Sequence, residues 1–292
     1  MPRRCRSTKT NKTKKMIQIT KDDFEQALPV GVSAHDTVYE SISPAIDIML
    51  DNYCSMLLGE AGIKRVNSDD GSSLKQYFKM TVCIDAFLSV FRQLDLVLTP
   101  TGFGIVSNDT ISPASKQRVD ALEGQLRTAL CRARAMTVKL LCSAEWGRGP
   151  EAKNFIRYLY TEHNFFFSGQ GSSAKTYQDW QVFQNAIIDT DVQLRLRFGD
   201  ELIDDFLDAL RCNDHDRLTV YASAMQLACD VTDKWATMGK AAAVTPMFRR
   251  LERLVENDAE TYALYRDSPA YETAHIEHFS NKKESSGYVF NG

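Results

Sequence analysis

The chain has 292 residues, of which 43% are hydrophobic and 25% charged, and its formal net charge is −3. This length and composition are those of an ordinary globular protein of about two domains, and they exclude wholesale disorder. No run of about 18 apolar residues is present, so we expect no membrane-spanning helix, and the basic N-terminus lacks the apolar stretch of a secretory signal. The seven cysteines form no CxxC pair, which favours a reducing compartment over a disulfide framework.

The first 15 residues form a basic arm on an otherwise acidic chain. They hold 7 of the 35 basic residues and no acid, which leaves 28 basic against all 38 acidic residues in the remainder. Such an arm predicts contact with nucleic acid or with another acidic surface. The alternative is a flexible tail or an upstream start, because Met16 opens "MIQITKDDF" like a natural beginning. The basic residues are Arg3, Arg4, Arg6, Lys9, Lys12, Lys14 and Lys15.

The predicted elements of the first half begin with a short extended segment, "MIQIT". Ser43-Pro44 is predicted to open a helix, because serine can cap it and proline suits its first position. Gly59 and Gly62 suit the end of that helix. Apolar residues then recur at steps of three and four from Leu74 to Leu98, which predicts one helix of six or seven turns.

The predicted elements continue after the stretch "TPTGFGIVSNDTISPAS" (99–115), a connection between two helices. Thr99-Pro100 ends the preceding helix, because the residue before a proline is pushed out of the α region. Gly102 and Gly104 are predicted to let the backbone turn around Phe103. Ser112-Pro113 starts the next helix, with a stripe from Val119 to Leu140.

The second half predicts further helices and one terminal strand. A helix from Trp180 to Phe198 is stopped by Gly199, the next has Asp200 as its cap, and a third is capped by Asn213 or Asp214. A weaker stripe follows Pro246, and the terminal "GYVFNG" reads as an extended segment. The cluster "NFFFSG" (164–169) predicts core packing, with an exposed anchor as the alternative.

The chain is therefore predicted to be all-α, with minor short strands at the termini. We divide it into a basic arm (1–15), an N-terminal helical bundle (16–165), a C-terminal helical bundle (174–280) and a tail (281–292). The two halves show a similar succession of helices and glycines at an offset of roughly 145 residues, which favours two tandem bundles from a duplication. The equal alternative is that the two halves are unrelated and look similar only because any two amphipathic helices do.

No pattern in the sequence predicts catalysis, a cofactor or a metal. "GFGIVSN" and "GQGSSAK" lack the third glycine and the strand of a dinucleotide turn, and no G-K-[ST] phosphate loop is present. "HIEH" (275–278) and "CNDHD" (212–216) lack the spacing of a catalytic zinc helix. Adjacent acids such as Asp204-Asp205 are typical of helix starts and polar faces, and no nucleophile elbow is present. We expect a protein that is not an enzyme.

One segment carries a resemblance to a family. "LVLTPTGFGIVSNDTISPASKQRVDALEGQLRTAL" resembles the signature of an uncharacterised family of helical virion proteins from tailed phages and prophages of gut Bacteroidetes-type hosts. The distinctive part runs from Thr99 to Val119, and the opening "MIQIT" and closing "SSGYVFNG" also fit. The basic arm is a departure from the family pattern.

The resemblance implies a head–tail connector or head-completion adaptor, similar to the helical adaptors that form a ring beneath a phage portal. The implied partners are further copies of the chain and the portal and tail proteins, with nucleic acid second and no membrane. The implied location is the virion, and the host cytoplasm during assembly. The candidate interface residues are Thr99, Pro100, Gly102, Phe103, Gly104, Ile105, Val106, Asn108, Tyr288, Val289 and Phe290.

Two other functions stay open. The first is a nucleic-acid-binding packaging or regulatory protein that uses residues 1–15, and the second is a helical enzyme with an unrecognised site. For the 99–108 segment, a well-packed intrachain connection is the equal alternative to an interface. For the tail, strand addition to a partner's sheet edge stands beside a frayed terminus.

Overall fold

The computed structural model describes residues 17–28, 36–68, 73–94, 96–99, 102–105, 115–168, 174–239 and 241–276. Helices occupy most of these residues, so the all-α prediction is confirmed. The strands among them form one two-stranded antiparallel hairpin.

The elements in chain order are α1 (Lys21–Ala27), α2 (Asp36–Tyr53), a π-helical turn (Cys54–Leu58), α3 (Gly59–Asn67), α4 (Ser73–Val90), a 3₁₀ turn (Phe91–Gln93), β1 (Leu96–Thr99), β2 (Gly102–Ile105), α5 (Lys116–Leu141), α6 (Ala144–Gly147), α7 (Pro150–Phe155), α8 (Glu162–Phe167), α9 (Tyr177–Phe198), α10 (Asp200–Cys212), α11 (His215–Met238), α12 (Ala241–Asn257), α13 (Ala263–Arg266) and α14 (Pro269–Ala274).

Two prolines that were predicted to open helices lie inside them. Helix α2 begins at Asp36 and contains Pro44, and α12 begins at Ala241 and contains Pro246. Both prolines are exposed. A helix tolerates a proline on its solvent side, because water can bond the carbonyl that loses its amide partner.

The long helix predicted from Leu74 to Leu98 is wrong in its last turns. Helix α4 ends at Val90, and Leu96 to Thr99 form β1 instead. A run of apolar residues fits a strand as well as a helix, and the pairing with β2 decides for the strand. Helix α5 begins at Lys116 with Ser115 as its cap, and the predicted start at Ser112-Pro113 lies outside the described residues.

The predicted helix ends of the second half are mostly confirmed. Gly199 ends α9 with a φ of +83°, and the Asp214 carboxylate caps α11 by accepting from the Arg217 amide. Asp200 is the first residue of α10 rather than its cap. There its charge complements the positive end of the helix.

The strand predicted at "MIQIT" is wrong where the structure describes it. Residues 17–20 form no strand, and Thr20 instead caps α1 in a capping box with Asp23. Local bonding of the threonine hydroxyl to the helix amides competes with an extended pairing. The predicted strand "GYVFNG" lies outside the described residues.

The order of elements repeats between the two halves. Capping boxes open α1 at Thr20 and α8 at Thr161, and glycines with positive φ stand at Gly59 after the π turn and at Gly199 after α9. Helix α4 packs on α2 and α5, and α11 packs on α9 and α12. Packing differs at the first helix, since α1 packs on α4 whereas α8 packs mainly on α5.

One main apolar core contains residues of both halves, from Phe24 of α1 to Tyr265 of α13. A smaller cluster holds Phe165 and Phe166 of the "NFFFSG" segment as predicted core, while Phe167 is 40% exposed. The division at residues 165 and 174 stays a prediction.

Helix α6 joins the two halves. The indole Nε1 of Trp146 donates to the Leu57 carbonyl (2.9 Å), and the Ser143 amide donates to the Arg211 carbonyl of α10 (3.1 Å). The Arg211 guanidinium in turn donates to the Ile156 carbonyl. These bonds fix the π turn, α6 and α10 as one unit.

Candidate interaction site

The hairpin between α4 and α5 contains the predicted interface residues that the structure describes. Leu96 pairs with Ile105, Val97 with Gly104, Leu98 with Phe103, and Thr99 with Gly102. Phe103 therefore lies inside β2, opposite Leu98, and the predicted turn around Phe103 is wrong. Backbone pairing of Gly102 to Ile105 with β1 decides for a strand there.

The register of the hairpin alternates two kinds of residue pair. Leu96 pairs with Ile105 and Leu98 pairs with Phe103, and the two positions that alternate with these each pair a residue of β1 with a glycine of β2. The sequence signal for this pattern is the alternation in "GFGI" opposite "LVLT".

The hairpin pairs mainly with itself. Within the described residues, the backbone contacts of β1 and β2 are chiefly those between the two strands. Each strand also has an unpaired edge, because the described sheet has two strands. An isolated two-stranded hairpin is marginally stable, and a free edge is a template for pairing with another chain.

The stem of the hairpin is closed by charges that sequence reasoning missed. Arg92, just before β1, donates to Asp120 (2.7 Å) and to Glu123, both on α5. Arg127 also binds Glu123, and these two arginines hold the pKa of Glu123 below its usual value. The Phe91 ring lies 5.9 Å from that of Phe87. The stem therefore fixes where the hairpin leaves the bundle.

The structure does not describe the other predicted interface residues or the arm. Pro100, Val106, Asn108, Tyr288, Val289 and Phe290 lie outside the described residues, and so does the basic arm (Arg3, Arg4, Arg6, Lys9, Lys12, Lys14 and Lys15).

A polar cleft between the halves holds groups that the sequence did not single out. The Arg134 guanidinium of α5 donates to both carboxylate oxygens of Glu162 on α8 (3.0 and 2.6 Å). Beside it the Tyr53 hydroxyl donates to Asp85 (2.8 Å), and burial together with that carboxylate raises the pKa of Tyr53. The cleft has a volume of about 360 Å³. The Arg134 and Glu162 side chains satisfy each other's charge and hydrogen bonds. The pair joins α5 to α8, which is a structural role.

Of the histidines singled out in the sequence patterns, His215 and His275 lie within the described residues and His278 lies outside them. His275 Nε2 lies 3.4 Å from Glu256, and exposed His215 is the first residue of α11. Within the described ranges, no group of three or more His, Cys, Asp or Glu side chains is arranged to hold a metal ion. None of the described helices is long and apolar enough to span a membrane.

Residues 32–156 match the family of unknown function DUF6712. This span is less than half of the chain, and it includes α2 to α7 together with the hairpin. Comparison with curated proteins finds no match for the chain, and comparison with solved structures finds none either. The hairpin therefore lies in the part of the chain that is similar to this family.

Proposed function

We propose that the chain is a virion structural protein, a head–tail connector or head-completion adaptor. It assembles into a ring and docks on portal or tail components through the hairpin between α4 and α5. The observation that carries the proposal is the difference between the two equivalent helix connections.

In the second half, two residues connect α11 to α12. Helix α11 ends at Met238 and α12 begins at Ala241, with Gly239 at a φ of +60° between them. The first half uses residues 91–115 to join α4 to α5. Longer connections cost chain entropy on folding, and the fold needs only the short one, so the hairpin serves something outside the fold.

The hairpin has the features of a protein-recognition element. Its strands pair apolar residues with each other at alternate positions, and within the described residues each strand has one edge without a pairing strand. Sheet edges are surfaces that other chains cover by adding a strand. The Arg92 stem presents them in a fixed place, which lowers the entropy cost of binding.

The test replaces residues 95–114 by a Gly-Lys pair, in imitation of the short connection at 239–240. We expect the shortened chain to keep its circular dichroism and a cooperative melt, while losing ring assembly and co-purification with a co-expressed portal protein. Light scattering and negative-stain imaging measure the assembly. Rings formed equally by both chains would contradict the proposal, and so would a wild-type chain that stays monomeric with portal present.

A second candidate function rests on the basic arm. Seven Lys/Arg among 15 residues would neutralise phosphates and bind nucleic acid without sequence preference. A chain of residues 16–292 should then lose DNA affinity and its steep salt dependence. Equal salt slopes with and without the arm would remove this candidate.

A further inference from the structure

In helix α12 the glutamates are paired within the fold and the arginines are not. Glu252 binds Arg197 of α9 (2.8 Å), and Glu256 lies 3.4 Å from the His275 imidazole. The arginines of α12 are all exposed, and none of them forms an ion pair with the part of the chain that the structure describes. We call them the basic face of α12, and they are Arg249, Arg250 and Arg253.

The corresponding helix of the first half uses its arginines differently. Arg127 of α5 binds Glu123, and Arg134 binds Glu162. A guanidinium stays charged at any ordinary pH, and its planar fork fits a carboxylate with two hydrogen bonds. A cluster of unpaired arginines on a helix surface is therefore suited to bind carboxylates that the fold itself does not supply.

Helix α2 carries a row of carboxylates on its exposed side. Glu40, Asp47 and Asp51 are exposed, and at about 100° per residue they lie close to one line along the helix. Helix α2 contains no lysine or arginine, and within the described ranges Glu40 and Asp47 form no ion pair. We call this row, which is roughly 16 Å long, the acidic stripe of α2.

The two surfaces match in spacing as well as in sign. Arg249 and Arg253 are four residues apart on α12, and Asp47 and Asp51 are four residues apart on α2. Each pair therefore spans roughly 6 Å along its helix. Ile48, which is 60% exposed, stands next to Asp47 and offers an apolar surface to the aliphatic stems of the arginines. Two helices that lie side by side can thus form at least two ion pairs.

A second copy of the chain is the partner that both surfaces fit. Every copy carries the basic face in its second half and the acidic stripe in its first half, and both are exposed, so they do not cover each other within one copy. Outside the basic arm the chain has 28 basic and 38 acidic residues. A nucleic acid bound to α12 would meet a body of its own charge sign, whereas an acidic stripe would meet only the arginines.

We infer that the basic face of α12 in one copy packs on the acidic stripe of α2 in a second copy. The inference rests on the proposed self-association and names a contact within it, in addition to the hairpin. The contact joins the second half of one copy to the first half of the next. It is therefore head-to-tail, and such contacts close into a ring when the rotation permits.

The experiment uses two full chains with opposite charge reversals. Arg249→Glu with Arg253→Glu reverses the basic face, and Glu40→Lys with Asp47→Lys reverses the acidic stripe. Light scattering over a range of concentrations measures assembly. We expect each reversed chain alone to need an at least about tenfold higher concentration than the wild type, because like charges then meet in every contact.

An equimolar mixture of the two reversed chains should recover assembly. When the chains alternate, one contact joins a native basic face to a native acidic stripe, and the next joins two reversed surfaces whose charges are again opposite. Wild-type assembly should also weaken as salt is raised, since exposed ion pairs are screened. Assembly that is independent of salt would contradict the inference.

The control chain is Arg148→Glu with Lys153→Glu. Both residues are exposed outside α2 and α12, and the two substitutions change the net charge as much as reversal of the basic face does. Circular dichroism and a cooperative melt check that all the chains fold. We expect the control chain to assemble like the wild type, and an equal loss in the control and in the arginine-reversed chain would refute the contact.

The outcomes separate the contact from the proposed function. Normal assembly of both reversed chains would overturn the contact and leave self-association standing, and so would a mixture that recovers no assembly. A wild-type chain that stays monomeric with portal present would overturn both. If the arginine-reversed chain assembles normally and loses affinity for DNA, the basic face binds nucleic acid and the inference is wrong.

Discussion

Gly147 stands at the point where α6 approaches the backbone of α10. A Cβ built there would lie 2.4 Å from the carbonyl oxygen of Arg211 and 2.6 Å from the amide nitrogen of Cys212. Backbone atoms cannot move aside as a flexible side chain can. The junction between the halves therefore depends on the absence of one methyl group.

We expect Gly147→Ala to lower the free energy of unfolding by about 1–3 kcal/mol, as overpacking does. Gly124→Ala is the control, because its nearest neighbour is Gln178 Nε2 at 3.5 Å. Because Gly124 lies within α5, Gly124→Ala should raise the free energy of unfolding by about 0.5–1 kcal/mol. Urea unfolding of both variants measures the difference, and a Gly147→Ala midpoint equal to that of the wild type would refute the predicted clash.

The role of a single residue can be predicted from the sequence where its bonding partners are close along the chain. Gly199 and Asp214 act within one helical turn, so the sequence predicts them well. Gly147 was not singled out, because its constraint comes from Arg211, which is far away along the chain. The same holds for Arg92, whose partners Asp120 and Glu123 lie on the next helix.

At the scale of elements, the hairpin stem has a pH dependence with a definite sign. Arg92 and Arg127 bind the charged form of Glu123 and lower its pKa. The stabilisation is therefore fully present above the ordinary glutamate pKa of 4.5 and is lost as the pH falls through the lowered value. The hairpin should loosen in acid before the bundle unfolds.

Hydrogen exchange, corrected for intrinsic rates, measures this loosening at residues 91–94 and 115–123. We expect protection there to fall as the pH is lowered below 4.5, and Glu123→Gln to show the low-protection state already at neutral pH. Exposed Glu145→Gln on α6 is the control and should leave the stem unchanged. Protection that is independent of pH in the wild type would contradict the role of Glu123.

Element type was harder to predict at the hairpin than elsewhere. "LVLT" continues the helical stripe of α4 in its spacing, so periodicity alone extends the helix. Pairing with residues 102–105 makes this segment a strand. That pairing cannot be predicted from the spacing of apolar residues within the segment. Pro44 and Pro246 give the opposite error, since each predicts a helix start although its helix begins several residues earlier. A helix tolerates an exposed proline in its interior, and this depends on which side of the helix meets solvent.

At the scale of the whole molecule, the Arg134–Glu162 pair joins α5 to α8, two helices that are separated along the chain by α6 and α7. The side chains are 28% and 15% exposed, respectively. Removal of either charge leaves the other mostly buried without its partner, so Arg134→Met and Glu162→Met should each cost about 3 kcal/mol, near the lower end for buried pairs.

A double-mutant cycle tests this pair. The double variant should be less destabilised than the sum of the two single variants, because no unpaired charge remains. Arg197 and Glu252, with side chains 40% and 29% exposed, form the control pair, for which a coupling of at most about 1 kcal/mol is expected. Additive costs at Arg134 and Glu162 would show that the two charges are independent.

The similar order of elements in the two halves is partly predictable from the sequence, and a duplication stays a prediction. The sequence predicts an offset of roughly 145 residues, whereas Thr20 and Thr161 are 141 residues apart and Gly59 and Gly199 are 140 apart, and it does not indicate that α1 and α8 are equivalent. Their capping boxes share the pattern Thr-x-x-Asp/Asn-Phe, which is short and common. Only the placement of Gly59 and Gly199 after equivalent long helices aligns the halves residue by residue.

The two-residue link between α11 and α12 marks a place where the architecture accepts an insertion. Since α4 and α5 tolerate residues 91–115 in the corresponding connection, the same segment transplanted in place of Gly239 and Lys240 would leave the second bundle intact. The grafted chain would display a hairpin on each half. Under the proposed function, each subunit would then carry two docking elements in place of one.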